Sequence, residues 1–342
     1  MLTVFSTRHR LHHGSELKDG AVTPSHEAPS RAETIVARVR AAGLGDVVEP
    51  DAFDRACLVA AHSERFVRFL ETAWERWTAS GRHCDALPLV WPVRGLDAQR
   101  EPASIDGQLG FYAMDAGSPI TAGTWDAVRG SAECALSATQ AVLGGARGAF
   151  ALCRPPGHHA AREYVGGYCY LNNAAIAAEH ARRSGASRVA VLDVDFHHGN
   201  GTQDIFYDRG DVLFVSIHGD PRDCYPYFSG HADERGHGAG ADATLNLPLP
   251  PGTAWERYGD ALDVALARVA RHAPDLLVVS LGVDTFKGDP ISHFRLDSDD
   301  FLRLGERIGR AGVPTVFAME GGYQVDEIGV NAVNVLQAFE GA

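Results

Sequence analysis

The sequence predicts an α/β protein built on one doubly wound, mainly parallel β-sheet flanked by helices, with its site at the carboxyl ends of the strands. Three observations carry this. From Trp125 onward, short apolar runs alternate with segments of helical periodicity, as in a parallel sheet joined by crossover helices. The runs are apolar at nearly every position, which strands buried on both faces require. Five of them give way to titratable side chains beside glycine, at the strand ends where open parallel sheets bind ligands.

In chain order, Leu2–Thr7 reads as a short strand, followed by a polar loop whose His9, His12 and His13 are expected in solvent. Ser30-Arg31-Ala32-Glu33 has the pattern of a capping box, opening a helix through Ile35, Val36 and Val39 that ends at Gly43. A second helix starts near Ser63, carries Phe66, Phe69, Leu70, Ala73 and Trp77 along one face, and stops at Gly81. That aromatic stripe is core. Arg82–Gly123 dissolves into Pro, Gly and polar residues, and is expected as a long loop that covers a site or meets another subunit. A helix at Trp125–Leu143 precedes a strand at Ala149–Cys153, and a helix at Asn173–Arg183 precedes a strand at Arg188–Asp193. The strand Val212–His218 follows. The helix Trp255–Arg271 leads to the strand Leu276–Leu281, the helix Phe301–Arg310 to the strand Thr315–Met319, and a helix at Val325–Phe339 comes last. No repeat or long linker interrupts the pattern, so residues 1–342 are read as one domain.

The net charge of −13 disfavours a nucleic-acid partner and favours a cationic ligand. No apolar run approaches the roughly 20 residues of a membrane span, and no basic, apolar leader precedes the first strand. The six cysteines show no CxxC spacing, so neither a disulfide framework nor a thiolate zinc site is expected. A cytoplasmic protein without a membrane partner fits these features.

The chemistry concentrates after the strand at Arg188–Asp193. Asp193, Asp195 and His197 occupy alternate positions, and a strand sends alternate side chains to one face. Buried charges are costly unless paired or bound to a metal, so a metal site is the simplest reason for the trio. Asp195, His197 and Asp284 would supply three ligands with one position open, the arrangement of a catalytic rather than a structural ion. Mixed carboxylate and imidazole ligands suit Zn²⁺, with Fe²⁺ or Co²⁺ as alternatives. Two carboxylates neutralise the ion, so a neighbouring base is useful, and His158 or His159 could serve. Each needs a partner on its far nitrogen, and Asp193 and Asn200 are available. Tyr323, after Gly321-Gly322, is suited to stabilise an oxyanion. Taken singly, Asp284 could cap a helix and Tyr323 could be a buried aromatic; their joint placement at strand ends points to the metal site. His218, Asp220, His231 and His237 are expected as loop residues, and Gly236–Gly240 lacks the helix that a dinucleotide loop requires.

Arg154-Pro155-Pro156-Gly157-His158-His159, Gly166-Gly167-Tyr168-Cys169-Tyr170-Leu171-Asn172-Asn173, Asp193-Val194-Asp195-Phe196-His197-His198-Gly199-Asn200-Gly201-Thr202 and Glu320-Gly321-Gly322-Tyr323 together resemble the motif series of the histone deacetylase superfamily. The similarity extends over nearly the whole chain and is closest to bacterial acetylpolyamine amidohydrolases. It implies the arginase–deacetylase fold, zinc on Asp195, His197 and Asp284, His159 as general base and acid, His158 as its electrostatic partner, and Tyr323 polarising an acetyl carbonyl. It implies structural potassium near Asp193, with main-chain oxygens of Asp195 and His197, the Ser216 hydroxyl and the Ile217 carbonyl. A second monovalent site would lie around Phe206, Arg209 and Val212. Tyr168 and Tyr225 match the aromatic walls of a substrate channel, with Gly167 between them, and the 82–123 loop matches one that builds a homodimer. The chain departs from the pattern in places: Asn200 stands where several relatives carry aspartate, and Tyr225 where phenylalanine is usual. Asp106 fits one position of an acid that meets a distant ammonium, whereas Gly117 falls where another is expected, with Asp115 nearby. The implied activity is hydrolysis of an acetylated polyamine or similar slender cationic amine. The alternatives are a protein acetyl-lysine deacetylase and, more remotely, a non-catalytic acetyl-ligand or metal-binding protein.

Overall fold

A computed structural model describes every residue from Met1 to Ala342. In chain order the elements are β1 (Leu2–Val4), β2 (Ser15–Lys18), β3 (Ala21–Pro24), α1 (Pro29–Ala41), β4 (Val47–Val48), α2 (Glu64–Ala79) and α3 (Ile105–Phe111). Then come α4 (Thr124–Leu143), β5 (Gly148–Ala151), α5 (Asn173–Arg183), β6 (Val189–Asp193), α6 (Asn200–Phe206) and β7 (Val212–Gly219). The chain closes with β8 (Thr244–Leu249), α7 (Trp255–His272), β9 (Leu276–Leu281), α8 (Ser298–Arg310), β10 (Thr315–Met319) and α9 (Val325–Gly341). Eight strands form one sheet in the order β4-β1-β5-β10-β9-β6-β7-β8, and every pairing in it is parallel. β2 and β3 make a separate antiparallel hairpin.

Every residue of β5, β6, β7, β9 and β10 is buried, which accounts for the predominance of Val, Ile, Leu, Ala and Phe in them. Helices cover the sheet: α1 and α8 pack with α9, and α4 packs with α5. The five strands whose carboxyl ends carry polar motifs are neighbours at the middle of the sheet, in the order β5, β10, β9, β6, β7. Asp193 at the end of β6 lies in register with Ser280 of β9 and Ser216 of β7. Residues far apart in sequence thus reach one edge of the sheet.

Several local expectations are corrected. His9 and His12 are buried, and of the three histidines only His13 is exposed. The cause is Arg154, whose guanidinium donates to the carbonyls of His9 and His12 and draws the loop inward. His12 Nδ1 then sits 3.0 Å from the Thr124 hydroxyl. α1 starts at Pro29, a proline at the first helical position, so Ser30 is inside the helix rather than its cap. Ser63 does cap α2, accepting from the Phe66 amide. The 82–123 segment is not structureless: Ser104 caps α3, Ala86 bridges to Ile120, and Ala113 bridges to Val165. His218 is buried within β7, hydrogen bonded to the Ser216 hydroxyl, rather than in a loop. β8 alternates Leu245 and Leu247 with polar residues and takes Pro248 at the sheet edge, a pattern that signals an edge strand. No helix is long and apolar enough to cross a membrane.

The α8–α9 contact is close enough to require glycine. A Cβ at Gly305 would overlap the Val335 carbonyl oxygen. Gly305→Ala is therefore expected to lower stability by about 1–3 kcal/mol, the range for overpacking. An unchanged urea midpoint would show that the helices can separate freely.

Candidate active site

β6 and β9 bring the ligand set together. Asp195 and His197 follow β6, and Asp284 follows β9. One donor atom from each lies within 4.8 Å of the others, and all three residues are buried. His197 Nδ1 is 2.9 Å from Asp284 Oδ2 and 3.3 Å from Asp195 Oδ1. Backbone amides complete the shell. Asp195 accepts from the amides of His197 (2.9 Å) and Gly321 (2.8 Å), and Asp284 accepts from that of Phe196 (2.8 Å).

The charge balance explains what this cluster suits. No lysine or arginine pairs with Asp195 or Asp284. Burial raises both carboxyls, but His158 and the His197 hydrogen bond overcome it at Asp195, whose pKa falls below the carboxylate range. Burial and the Asp195 charge push Asp284 up to about 8. Burial opposes a charge on His197, yet hydrogen bonds to Asp195 and Asp284 raise it to about 10. Two buried carboxylates thus converge on one imidazole with no lysine or arginine among them, and the nearest further positive group is His158, 3.8 Å from Asp195. The hard oxygen and borderline nitrogen donors fit a divalent ion such as Zn²⁺.

Around the cluster, two adjacent histidines are given opposite characters. His158 Nδ1 is 3.0 Å from Asp193 Oδ2, and its other nitrogen is 3.8 Å from Asp195. Burial works against its charge, but Asp195 and Asp193 hold its pKa well above the usual value. His159 Nδ1 is 2.7 Å from Asn200 Oδ1. Burial, then the charges of His158 and His197, push His159 well below the usual value. His159 therefore stays neutral and can accept a proton. The Tyr323 phenol is raised well above its usual pKa by burial and remains a donor. Its amide donates to Asp289 Oδ2 at 2.7 Å, and the Arg31 guanidinium lies 4.8 Å from its ring centre.

A cavity of about 530 Å³ opens onto His159, His197 and Tyr323, and is walled by Tyr168, Tyr225, Tyr227 and Gly167. Gly167 takes φ +51°, and a Cβ there would overlap the His159 ring, so only glycine lets the backbone pass. Two of the wall tyrosines donate to carboxylates that also line the cavity: Tyr168 to Glu16 at 2.8 Å, and Tyr225 to Asp115 at 2.6 Å.

Asp106 does not join this cavity. α3 directs it outward, where it forms an exposed two-pronged pair with Arg82. Asp115 is the acid of that segment that reaches the wall of its own chain. Glu320, given no role from sequence, is fully buried and accepts from the amides of Gly157 (2.6 Å) and His158 (3.1 Å). Its place at a strand end was the available signal. Asp289 and Glu16 carried none. Asp193 and Ser216, both named for potassium, lie side by side in register, and Ile217 follows in β7. Phe206, Arg209 and Val212 lie along the α6–β7 connection.

A histone deacetylase domain matches residues 25–339. Over its full length the chain is 59% identical to acetylpolyamine amidohydrolase 2 of Pseudomonas aeruginosa, covering 99% of that protein. It is 47% identical to the acetylpolyamine amidohydrolase of Mycoplana ramosa, with both chains fully covered. The crystal structure of an acetylpolyamine aminohydrolase from Burkholderia pseudomallei superposes with a TM-score of 0.94 at 44% identity, covering 99% of this chain and 98% of that one.

Because no lysine or arginine pairs with the two carboxylates, a divalent ion bound there would stabilise the folded chain. Stripping divalent ions with a chelator is expected to lower the thermal midpoint, and Zn²⁺ to restore it. His197→Ala is expected to abolish the zinc-dependent shift; a shift of wild-type size in that variant would place the ion elsewhere.

Proposed function

The chain belongs to the histone deacetylase family, and on that premise we propose that it is a zinc-dependent amidohydrolase that removes the acetyl group from N-acetylated polyamines or similar slender cationic amines, releasing acetate. The observation that carries this reading is the convergence of Asp195, His197 and Asp284 with a neutral histidine and a protonated phenol beside one aromatic-walled cavity.

Zn²⁺ bound by Asp195, His197 and Asp284, with Fe²⁺ or Co²⁺ as alternatives, would supply a Lewis acid that polarises the acetyl carbonyl and acidifies a water. The residues of the chain do the rest. His159 donates its Nδ1 proton to Asn200 and turns its other nitrogen to the cavity. It takes the proton of the attacking water and later gives it to the departing amine. Tyr323 donates to the carbonyl oxygen as negative charge develops there. His158, kept cationic by Asp193 and Asp195, adds a fixed positive charge beside the reacting centre. Tyr168 and Tyr225 flank a polymethylene chain and exclude water from it.

The cavity lining includes Glu16, Asp19 and Asp115 against Lys18, a balance that favours a cationic distal end. For potassium we propose Asp193, Asp195, His197, Ser216 and Ile217 at the first site. The carbonyls of Asp195 and His197 accept no protein hydrogen bond, which leaves them available. The second site would be formed at Phe206, Arg209 and Val212. We propose a cytoplasmic homodimer joined through the 82–123 segment, whose Leu89, Val90, Val93 and Leu96 side chains are exposed.

Two measurements test the reading. Tyr323→Phe is expected to keep its metal and lower kcat about 10²–10³-fold, the scale of one oxyanion donor; unaltered turnover would remove Tyr323 from the mechanism. N-acetylputrescine is expected to give a higher kcat/KM than an acetyl-lysine peptide with zinc-loaded protein. The reverse order would identify a protein deacetylase, and no acetate release from either a non-catalytic binder.

A further inference from the structure

Asn200 offers an amide, not a carboxylate, to His159. Its Oδ1 faces His159 Nδ1 at 2.7 Å, while its Nδ2 lies 3.3 Å from Met114 Sδ and 3.3 Å from the Tyr164 hydroxyl. A carboxylate offers oxygen whichever way it turns. An amide does not. With its oxygen toward His159 it accepts from Nδ1–H and leaves the cavity-side nitrogen free to take a proton. With its nitrogen toward His159 it would donate to Nδ1 and force the ring proton onto the cavity side, where the histidine can no longer act as base.

Something must choose between these orientations. The Tyr164 hydroxyl cannot, because it both donates and accepts. A thioether sulfur only accepts, so it favours the amide nitrogen and opposes the carbonyl oxygen. Met114 is held against Asn200 by packing: a Cβ at Gly166 would overlap Met114 Cγ, and the Met114 amide donates to the Val165 carbonyl at 2.9 Å.

We propose that Met114 is a positioning residue for the reaction: its thioether selects the orientation of Asn200 that keeps the His159 proton on Nδ1. The inference rests on His159 as the base. Met114, Asn200 and Tyr164 do not line the cavity, so substrate binding is independent of the selection.

Met114→Leu keeps the side-chain bulk and removes the acceptor. Its kcat on N-acetylputrescine is expected to fall about fivefold, the scale of one modest hydrogen bond, with KM unchanged and metal content and thermal midpoint as in the wild type. Nitrogen-15 NMR of His159 reports the tautomer without turnover. The wild type is expected to show Nδ1 protonated and Met114→Leu a mixture; a single Nδ1-protonated form in both proteins overturns the proposal. In an Asn200→Asp background, which has no wrong end to present, Met114→Leu is expected to leave kcat and the tautomer unaltered. An equal loss in both backgrounds would assign Met114 to packing and overturn its selecting role. His159→Ala separates the two readings. If that variant turns over normally, the assignment of the base fails; if it is inactive while Met114→Leu matches the wild type in kcat and spectrum, only the Met114 proposal fails.

Discussion

The rest of the structure depends on one electrostatic constraint: two fully buried carboxylates are held just beyond the carboxyl ends of the central parallel strands with no lysine or arginine to neutralise them. Burying such charges is tolerable only when backbone donors and a cation share them. Room is made by omission. A Cβ at Gly282 would overlap Asp195, and one at Gly321 would lie 2.6 Å from Asp195 Oδ2 and 2.7 Å from Asp284 Oδ2. Charge is met by addition, since the amides of Phe196, His197 and Gly321 all point inward. The loops after β6, β9 and β10 are therefore shaped by the same two side chains.

A second buried system holds the site from beneath. Glu27 shares one carboxylate oxygen between Arg31 (2.7 Å) and Arg154 (2.9 Å). Arg31 also donates to the carbonyls of Gly322 (2.6 Å) and Glu320 (2.5 Å). Helix α1 is thereby tied to the turn that carries Tyr323, while Arg154 ties the N-terminal loop to the segment that carries His158 and His159. Glu320 joins the two, accepting from the amides of Gly157 and His158. The histidines and the phenol are set relative to one another by Glu27, Arg31, Arg154 and Glu320, none of which lines the cavity.

Much of this was legible in the sequence because it follows from strand periodicity. Val189–Asp193 had to be a central strand, and Asp195 and His197 had to emerge from its end. Leu276–Leu281 and Thr315–Met319 were readable to the residue for the same reason. What escaped depends on partners distant in the chain. His9 looked solvated because its polar partners lie elsewhere in the chain: Glu33, 3.2 Å from its ring, is 24 residues away, and Arg154, which donates to its carbonyl, is 145 away. That Asp106 lies outside the cavity of its own chain escaped because the helical turn that directs it outward is short and lies in a stretch rich in glycine and proline. The hairpin of β2 and β3, which brings Glu16 to Tyr168, is too short to give a periodic signal.

The distribution of the site over β5, β6, β9 and β10 bears on the order in which its capabilities arise during synthesis. Parallel neighbours are joined only through long crossovers, so the contacts at the sheet centre are non-local and form late. A growing chain that has emerged as far as Asp284, just past β9, already contains Asp195, His197 and Asp284, but not Gly321, whose amide supports Asp195, nor Tyr323. Such a chain could hold an ion loosely and would lack the phenol that reaction needs. Competence to bind metal and competence to hydrolyse are thus separated in time by one helix and one strand, and hydrolysis waits for the last strand to enter the middle of the sheet.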